Sequence, residues 1–306
     1  MNEKPKAMVL ASFAADSLSL GVHWIYNTNV IDKKFGRVEH FLKPERPTYH
    51  PSKKRGEFTH YGDQTLTLLE SIAECEGFSL SDFSERWQKL FKNYAGYVDG
   101  ATKGTLANLA AGKSLPESGS DSDDLAGAAR IASLVYVYRN NLPELIAGAT
   151  AQTAFTHNHP HVIKSASFFA TLAYQILAGV SPLKAIEEVK RDELYSDPFK
   201  EWIQMGLEST AQESRKAILD FGQMCETAAA FPCVIHLVAK YEKDLKTALV
   251  ENVMAGGDSA GRGLLVGLVL GAHLGMEAIP QEWLNDMKAY PIIFDMLAHI
   301  DKSLGF

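Results

Sequence analysis

The stretch AGGDSAGRGLLVGLVLGAHLG, residues 255–275, is the part of this chain that most clearly predicts a helical fold. Asp258 fits the N-cap of a helix over 259–275, because aspartate is among the best N-cap residues. Each glycine inside a helix costs roughly 0.5–1 kcal/mol relative to alanine, so a regular stripe of them predicts a second helix packed closely against this one. Gly256 and Gly257 exceed what a cap requires, and we interpret them as backbone beside a ligand, with N–H groups that could hold a phosphate. The stripe has four-residue spacing: Gly263, Gly267, Gly271 and Gly275.

Apolar residues at helical spacing predict helices along most of the remaining chain. Ser79, followed by an acidic residue at the capping-box position, is a start signal for one of them. Pro143, Pro160 and Pro182 each suit a first helical turn. Strict apolar/polar alternation and Asn-Gly hairpin signals are absent, so the sequence predicts an all-α fold, a compact multi-helix bundle forming a single domain over 1–306. The other predicted helices cover 7–20, 63–76, 125–139, 223–241, 243–255 and 290–304.

The composition is that of an ordinary globular protein, with 46% hydrophobic and 22% charged residues. The formal net charge of -7 argues against nucleic acid and anionic membranes as partners, because both attract basic surfaces. The longest apolar run, 264–275, is shorter than the roughly 20 residues of a membrane span. We therefore predict a soluble, cytoplasmic protein without nucleic-acid or membrane partners.

Metal-type spacing is absent from the cysteines and histidines. Cys75, Cys225 and Cys233 have neither a disulfide framework nor a zinc pattern, and we expect all three to be buried thiols. The histidines of the segment 157–161 alternate, but no fourth ligand stands at a fixed spacing, which favours a polar helix entry over zinc. A second non-helical segment, 32–61, is long for a helical domain, and such insertions are more often functional than decorative.

Six segments carry a resemblance to a known family: AADSLSLG (14–21), YGDQT (61–65), DLAGAAR (124–130), THNHP (156–160), GGDSAG (256–261) and IPQEW (279–283). In order and spacing they resemble the ADP-ribosylglycohydrolases, an all-α family that cleaves ADP-ribose from arginine, serine or small acceptors with two magnesium ions. HWIY at 23–26, YGDQ at 61–64 and Arg262 resemble the branch of the J-type eye-lens crystallins and the related selenoprotein.

The resemblance implies a metal site formed by the triplet 62–64 and the motif 256–261, but several of the family's ligands are replaced here. Asp63 and Asp258 are the carboxylates that remain, and Ser259 offers a neutral oxygen. Magnesium readily keeps several waters, so we expect at most one ion, held by Asp63 and Asp258.

Arg262 offers an explanation for the missing ligands. It lies four residues after Asp258 and on the same side of the helix. We hypothesise that its guanidinium takes the place of a metal and neutralises Asp63 and Asp258. The alternative is a surface salt bridge between Arg262 and Asp258, worth about 0–1 kcal/mol.

The implied function is hydrolysis of a glycosidic bond in an ADP-ribosyl or related nucleoside-type substrate. Such reactions pass through an oxocarbenium-like state and use carboxyl groups as acid, base or nucleophile. The alternatives are a non-catalytic, crystallin-like structural or ligand-binding protein and a metal-independent hydrolase of another glycoside. The candidate catalytic residues are Asp63, Asp258, Glu57 and Asp16. The candidate substrate-binding residues are Gly256, Gly257, Ser259, Arg262, His157, Tyr26 and Tyr61, with Trp24 as a further stacking residue.

Overall fold

A computed structural model describes residues 3–305, and within them every regular element is helical. Two isolated β-bridges, Ser120 with His157 and Asp124 with Glu226, tie loops together without forming a strand. The predicted all-α class is thus confirmed. The α-helices are α1 (Lys4–Ser19), α2 (Thr28–Phe35), α3 (His60–Cys75), α4 (Leu80–Lys92), α5 (Gly100–Ala110), α6 (Ala126–Ala129), α7 (Ala132–Val137), α8 (Leu142–Thr156), α9 (Pro160–Leu177), α10 (Pro182–Val189), α11 (Phe199–Glu208), α12 (Ser214–Phe221), α13 (Thr227–Lys240), α14 (Leu245–Met254), α15 (Ser259–Leu274), α16 (Gln281–Asp286) and α17 (Tyr290–Leu304).

The centre of the molecule is the contact between α1 and α15. A Cβ on Gly267 would overlap the carbonyl oxygen of Ala11, and one on Gly271 would lie 2.8 Å from the carbonyl oxygen of Ala7. Ser12 Oγ adds a hydrogen bond of 2.8 Å to the carbonyl oxygen of Leu264. The glycine stripe therefore lets two helix backbones touch, as its spacing predicts.

The N-caps of three helices can be compared with the sequence. Ser79 caps α4 by accepting from the backbone N–H of Asp82, as predicted. Thr59, and not Asp63, caps α3, so Asp63 lies one turn inside the helix. Asp258 occupies the N-cap position of α15, but its side chain makes no capping hydrogen bond.

Three predicted boundaries differ from the structure. The predicted helix 125–139 is broken into α6 and α7, and Arg130 at the break turns its side chain into the interior. Residues 223–226 form a loop ahead of α13, because the carbonyl oxygen of Gln223 accepts from the backbone N–H of Asp258. The segment 32–61 begins inside α2.

The described residues include no helix that is long and apolar enough to cross a membrane. All three cysteines are unpaired. Cys233 is buried and Cys225 is half-buried, but Cys75 is exposed, so the expected burial of all three is wrong for Cys75.

Candidate active site

An aromatic cleft of about 570 Å³ lies between the loop after α1, helix α2 and the loop 45–49. Trp24, Tyr26 and Tyr49 line it, and the buried His23 forms part of its inner wall. The Trp24 and Tyr49 rings meet edge-on with centroids 5.0 Å apart, while 46% of Tyr26 and 52% of Tyr49 are exposed. Open aromatic faces of this kind can stack on a nucleobase or a sugar.

Trp24 has a strained backbone. Its φ of 64° lies in the left-handed region, which bulky residues rarely adopt. A hydrogen bond of 2.9 Å from its N–H to the carbonyl oxygen of Gly257 holds it there. Such strain costs about 1–3 kcal/mol and clusters at functional sites, which marks the cleft as a candidate site.

His23 connects the cleft to Asp258. Its Nε2 lies 2.7 Å from Asp258 Oδ1, and its Nδ1 lies 2.8 Å from His50 Nε2. An ionised carboxylate only accepts hydrogen bonds, so His23 donates from Nε2. If both rings are neutral, His23 then accepts at Nδ1 and His50 donates from its own Nε2. The second oxygen, Asp258 Oδ2, has no protein partner. Asp258 is thus oriented through one oxygen and free to react through the other.

Burial determines the charge of both imidazoles. It lowers the pKa of His23, although the hydrogen bond to Asp258 opposes that effect. It lowers the pKa of His50 to about 2, with His23 and His60 adding to the decrease. Burial therefore favours the neutral form of both rings.

Asp124 is a second carboxyl group close to Asp258. Tyr61 OH donates to Asp124 Oδ2 at 3.0 Å, and the backbone N–H of Ala126 donates to Oδ1 at 2.8 Å. Burial, and then the negative charge of Asp258, raises the pKa of Asp124 well above its usual value. A carboxylate beside a carboxyl group that favours its protonated form is the arrangement that acid–base cleavage of a glycosidic bond uses.

Tyr26 links the cleft to this carboxyl pair. Its pKa rises to about 12, first through burial and then through the negative charges of Asp258 and neighbouring groups. The Tyr26 ring is thus within electrostatic reach of Asp258 while it also lines the cleft. A ligand stacked on Tyr26 would lie within electrostatic reach of Asp258.

Several buried polar atoms around the pair have no protein partner. Native proteins satisfy most buried polar groups with protein, water or ligand, because each unpaired group costs about 1–3 kcal/mol. The region is therefore suited to hold a polar ligand or ordered water. These atoms are Asp258 Oδ2, Glu226 Oε2, His157 Nε2 and Ser259 Oγ.

Asp63 and Asp258 have different hydrogen-bond partners. Asp63 Oδ2 accepts from Lys53 Nζ and from Tyr94 OH. Lys53, Asp63, Tyr94 and Glu57 line a second cleft of about 410 Å³, to which Asp258 does not contribute. That Asp63, Asp258 and Glu57 act as one catalytic and metal-binding group stays a prediction, and the structure places Asp63 and Glu57 on this second cleft.

Asp16 is buried beneath the second cleft and satisfied by Thr59. The Thr59 N–H donates to Oδ1 at 2.9 Å and the Thr59 hydroxyl donates to Oδ2 at 2.6 Å. Burial raises the pKa of Asp16 to about 7, with the hydrogen bonds of Thr59 opposing. Asp16 is fully buried and both of its oxygens accept from Thr59, and its predicted acid–base role stays a prediction.

Asp16 should make stability depend on pH. Because the pKa of Asp16 is about 7 in the folded state and 3.8 for an ordinary aspartate, the folded state holds more protons between these values. The free energy of unfolding should therefore fall as pH rises from 4 to 7, by up to about 1.4 kcal/mol per pH unit for this proton. Urea unfolding of Asp16→Asn should lose this slope, whereas the exposed Asp295→Asn should keep it. Equal slopes in the wild type and Asp16→Asn would contradict the assignment.

The Cα atoms and the N–H groups of Gly256 and Gly257 face other parts of the protein. Their φ angles of 71° and 66° favour glycine. A Cβ on Gly256 would lie 2.5 Å from the carbonyl oxygen of Ile25, and one on Gly257 would overlap that of Gln223. Their N–H groups donate to Val253 and Ile25. The predicted phosphate-binding role is therefore wrong, because no N–H of this pair is free.

Arg262 contacts neither aspartate. Its guanidinium donates to the carbonyl oxygen of Gly256 at 2.6 Å, to that of Gln223 at 3.2 Å, and to Asn252 Oδ1 at 3.1 Å. It is fully buried. Both the metal-replacement hypothesis and the surface salt bridge are wrong, because Arg262 braces the loop ahead of α15 and has no exposed surface for a substrate.

The other predicted binding residues differ in access. Tyr26 lines the aromatic cleft. Tyr61 is buried with its hydroxyl on Asp124, so its ring is not open for stacking. His157 and Ser259 are buried beside the carboxyl pair. Burial lowers the pKa of His157 to about 3.

Comparison with known proteins agrees with this architecture. The model of the ADP-ribosylglycohydrolase family matches residues 2–303. The chain belongs to the ADP-ribosylglycohydrolase family. It is 28% identical to an uncharacterised protein of Archaeoglobus fulgidus over 94% of this chain and 92% of that one. It is 25% identical to crystallin J1A of Tripedalia cystophora over 92% of this chain and 91% of that one, and 24% identical to crystallin J1B of the same organism.

A solved structure shares the fold of this family member. It is described as an ADP-ribosylglycohydrolase-related protein complex and superposes with a TM-score of 0.73 at 20% identity. The match covers 98% of this chain and 97% of that one. The predicted bundle of this family is thus confirmed at the level of the fold.

The metal ions implied by family resemblance do not fit the residues present. Among residues 3–305, no three His, Cys, Asp or Glu side chains are grouped so that they could hold an ion. Asp63 already accepts from Lys53, and Gln64 Oε1 accepts from Trp87 Nε1 and from Arg130, both at 2.8 Å. Binding of one magnesium ion by Asp63 and Asp258 stays a prediction that these contacts do not favour, because Asp63 Oδ2 already accepts from Lys53 and Asp258 Oδ1 faces His23.

Sequence reasoning missed Asp124 and Asp99 as site residues and His23 as the partner of Asp258. Asp124 lies just before α6 and accepts from the backbone N–H of Ala126, a local role that hides its place beside Asp258. Asp99 caps α5 and lies 3.1 Å from His60 Nε2, so its local role hides its place in the histidine cluster. The HWIY segment was the one available signal for His23.

Proposed function

We propose that this protein hydrolyses a glycosidic bond in an ADP-ribosyl or related nucleoside-type substrate, at the inner end of the aromatic cleft. The observation that carries the proposal is the electrostatic influence of Asp258 on Asp124, two buried carboxyl groups of which the first raises the pKa of the second. Asp258 is oriented by His23 and has one unpartnered oxygen, and Asp124 has a raised pKa. Membership of the ADP-ribosylglycohydrolase family supports the reaction class.

Asp124 and Asp258 have different roles in the proposed reaction. Asp124, in its protonated form, donates a proton to the leaving group as the bond to the anomeric carbon breaks. Asp258 stabilises the positive charge that develops on the ribose, or takes a proton from the attacking water through Oδ2. His23 and His50 remain neutral and keep Asp258 in place. Trp24 and Tyr26 supply the faces on which a base or sugar stacks.

The test is a turnover assay in the presence of EDTA. Purified protein is incubated with ADP-ribosylated arginine, ADP-ribosylated serine and a panel of nucleosides, and the released sugar or ADP-ribose is quantified by liquid chromatography. Turnover in EDTA that is lost in Asp258→Asn would support the proposal. Turnover that requires added magnesium, or that survives in Asp258→Asn, would contradict it.

A second candidate function is a non-catalytic, crystallin-like role. It is favoured by the two relatives named crystallin J1A and J1B, which cover almost the whole chain. Under this alternative the cleft binds a ligand without chemistry or binds nothing. Absence of turnover with every substrate, combined with calorimetric binding of ADP-ribose or with none, would favour it over the hydrolase.

A further inference from the structure

We propose that Lys53 is a built-in cation of the second cleft, and that its ammonium group excludes a hard divalent cation from Asp63. Removal of the Lys53 side chain would then create a binding site for such an ion. The inference concerns the residues around Asp63 and does not depend on the proposed hydrolysis at Asp258.

The ammonium group of Lys53 lies between Asp63 and the ring of Tyr94. Lys53 Nζ contacts Asp63 Oδ2, and the same oxygen accepts from Tyr94 OH. Nζ also lies 5.6 Å from the centre of the Tyr94 ring, where a cation is attracted to the aromatic face. The side chains of Lys53 and Asp63 are only 13% and 16% exposed. The ammonium group thus occupies the position on Asp63 that an added cation would need.

The negative charges of Asp16 and Asp63 favour a cation beside Asp63. Asp16 lies close enough to Asp63 for each negative charge to disfavour the other, and its own oxygens are held by Thr59. Burial raises the pKa of Asp63, and Lys53 is the first of the groups that oppose this effect. Without Lys53 the carboxylate would keep Tyr94 as a donor and would lack a compensating charge.

The space around Asp63 would suit a hydrated ion. The cleft has a volume of about 410 Å³ and is lined by Ser52, Glu57 and Tyr94 as further oxygen-bearing side chains. Magnesium and manganese bind through one or two carboxylates and keep several of their waters. Truncation of Lys53 to alanine would remove the competing charge and leave room for that water shell.

The experiment measures the binding of Mn²⁺ alone by the loss of its free electron paramagnetic resonance signal. We expect no Asp63-dependent binding in the wild type and one bound ion in Lys53→Ala. Lys54→Ala, which removes the exposed neighbouring lysine, is the matched control and should behave as the wild type. Addition of Asp63→Asn to Lys53→Ala should abolish the gain. At about a hundredfold excess over Kd, Mn²⁺ should raise the Tm of Lys53→Ala by about 5 °C.

Two results would overturn the inference. The first is a folded Lys53→Ala protein that binds no Mn²⁺. The second is binding of Mn²⁺ by the wild type that is lost in Asp63→Asn. This measurement needs no lysine variant. Neither readout involves turnover, so the Mn²⁺ test remains valid if the proposed hydrolysis fails. Failure of the Mn²⁺ test likewise leaves the proposed hydrolysis untouched.

Discussion

Asp258→Asn is expected to lower kcat/KM for the substrate found in the turnover assay by roughly 10³-fold, the middle of the range for a lost acid–base group. Asparagine has nearly the shape of aspartate and keeps an oxygen that can accept from His23 Nε2. It removes the negative charge that would stabilise the ribosyl cation or accept the proton of water. The fold should be retained, because the contacts of the Asp258 backbone do not change.

The control for this variant is Asp295→Asn, which removes an exposed carboxylate from α17. Its kcat/KM should stay within twofold of the wild type. Near-wild-type turnover by Asp258→Asn, with an unchanged circular dichroism spectrum, would remove Asp258 from the reaction. If Asp63→Asn abolished turnover at the same time, the chemistry would belong to the second cleft.

Gly267→Ala is expected to destabilise the protein by about 3 kcal/mol, near the upper end for overpacking in a core. The added Cβ would overlap the carbonyl oxygen of Ala11 and lie 2.9 Å from the Cα of Ser12. These are backbone atoms of α1 and cannot rotate away, so α1 and α15 would have to separate. Because Ser259 at the start of α15 follows Asp258, a separation should also disturb the active site.

The matched control is Gly100→Ala in α5, where a new Cβ meets no atom within 4 Å. Alanine there should be neutral or should stabilise by about 0.4–1 kcal/mol through the unfolded chain. Urea unfolding followed by circular dichroism measures both variants. Equal free energies of unfolding for Gly267→Ala and the wild type would contradict the close contact of α1 with α15.

The sequence was informative wherever a rule acts within a few residues. The four-residue spacing of Gly263, Gly267 and Gly271 places these positions on one helix face, and the structure puts α1 against that face. Ser79 capped the helix that it was predicted to cap. The motif order along the chain indicated the family that the comparison showed.

The sequence was misleading where a local rule competed with a distant partner. Asp258 stands at an N-cap position, yet its side chain bonds to His23, 235 residues away in the chain. Arg262 lies one turn from Asp258, yet it turns to the carbonyl oxygens of Gly256 and Gln223. Buried carbonyl oxygens need donors, and this need outweighed the attraction between Arg262 and the aspartate.

The site itself was thus decided by tertiary structure. Periodicity and motifs of a few residues were enough to predict the all-α class, the close contact along the glycine stripe and the family. Only the packed chain shows that Asp63 bonds to Lys53 and Tyr94 while Asp258 bonds to His23. Each carboxyl group took the donor that the crossing of helices and loops brought within hydrogen-bond distance, and sequence spacing does not encode that distance.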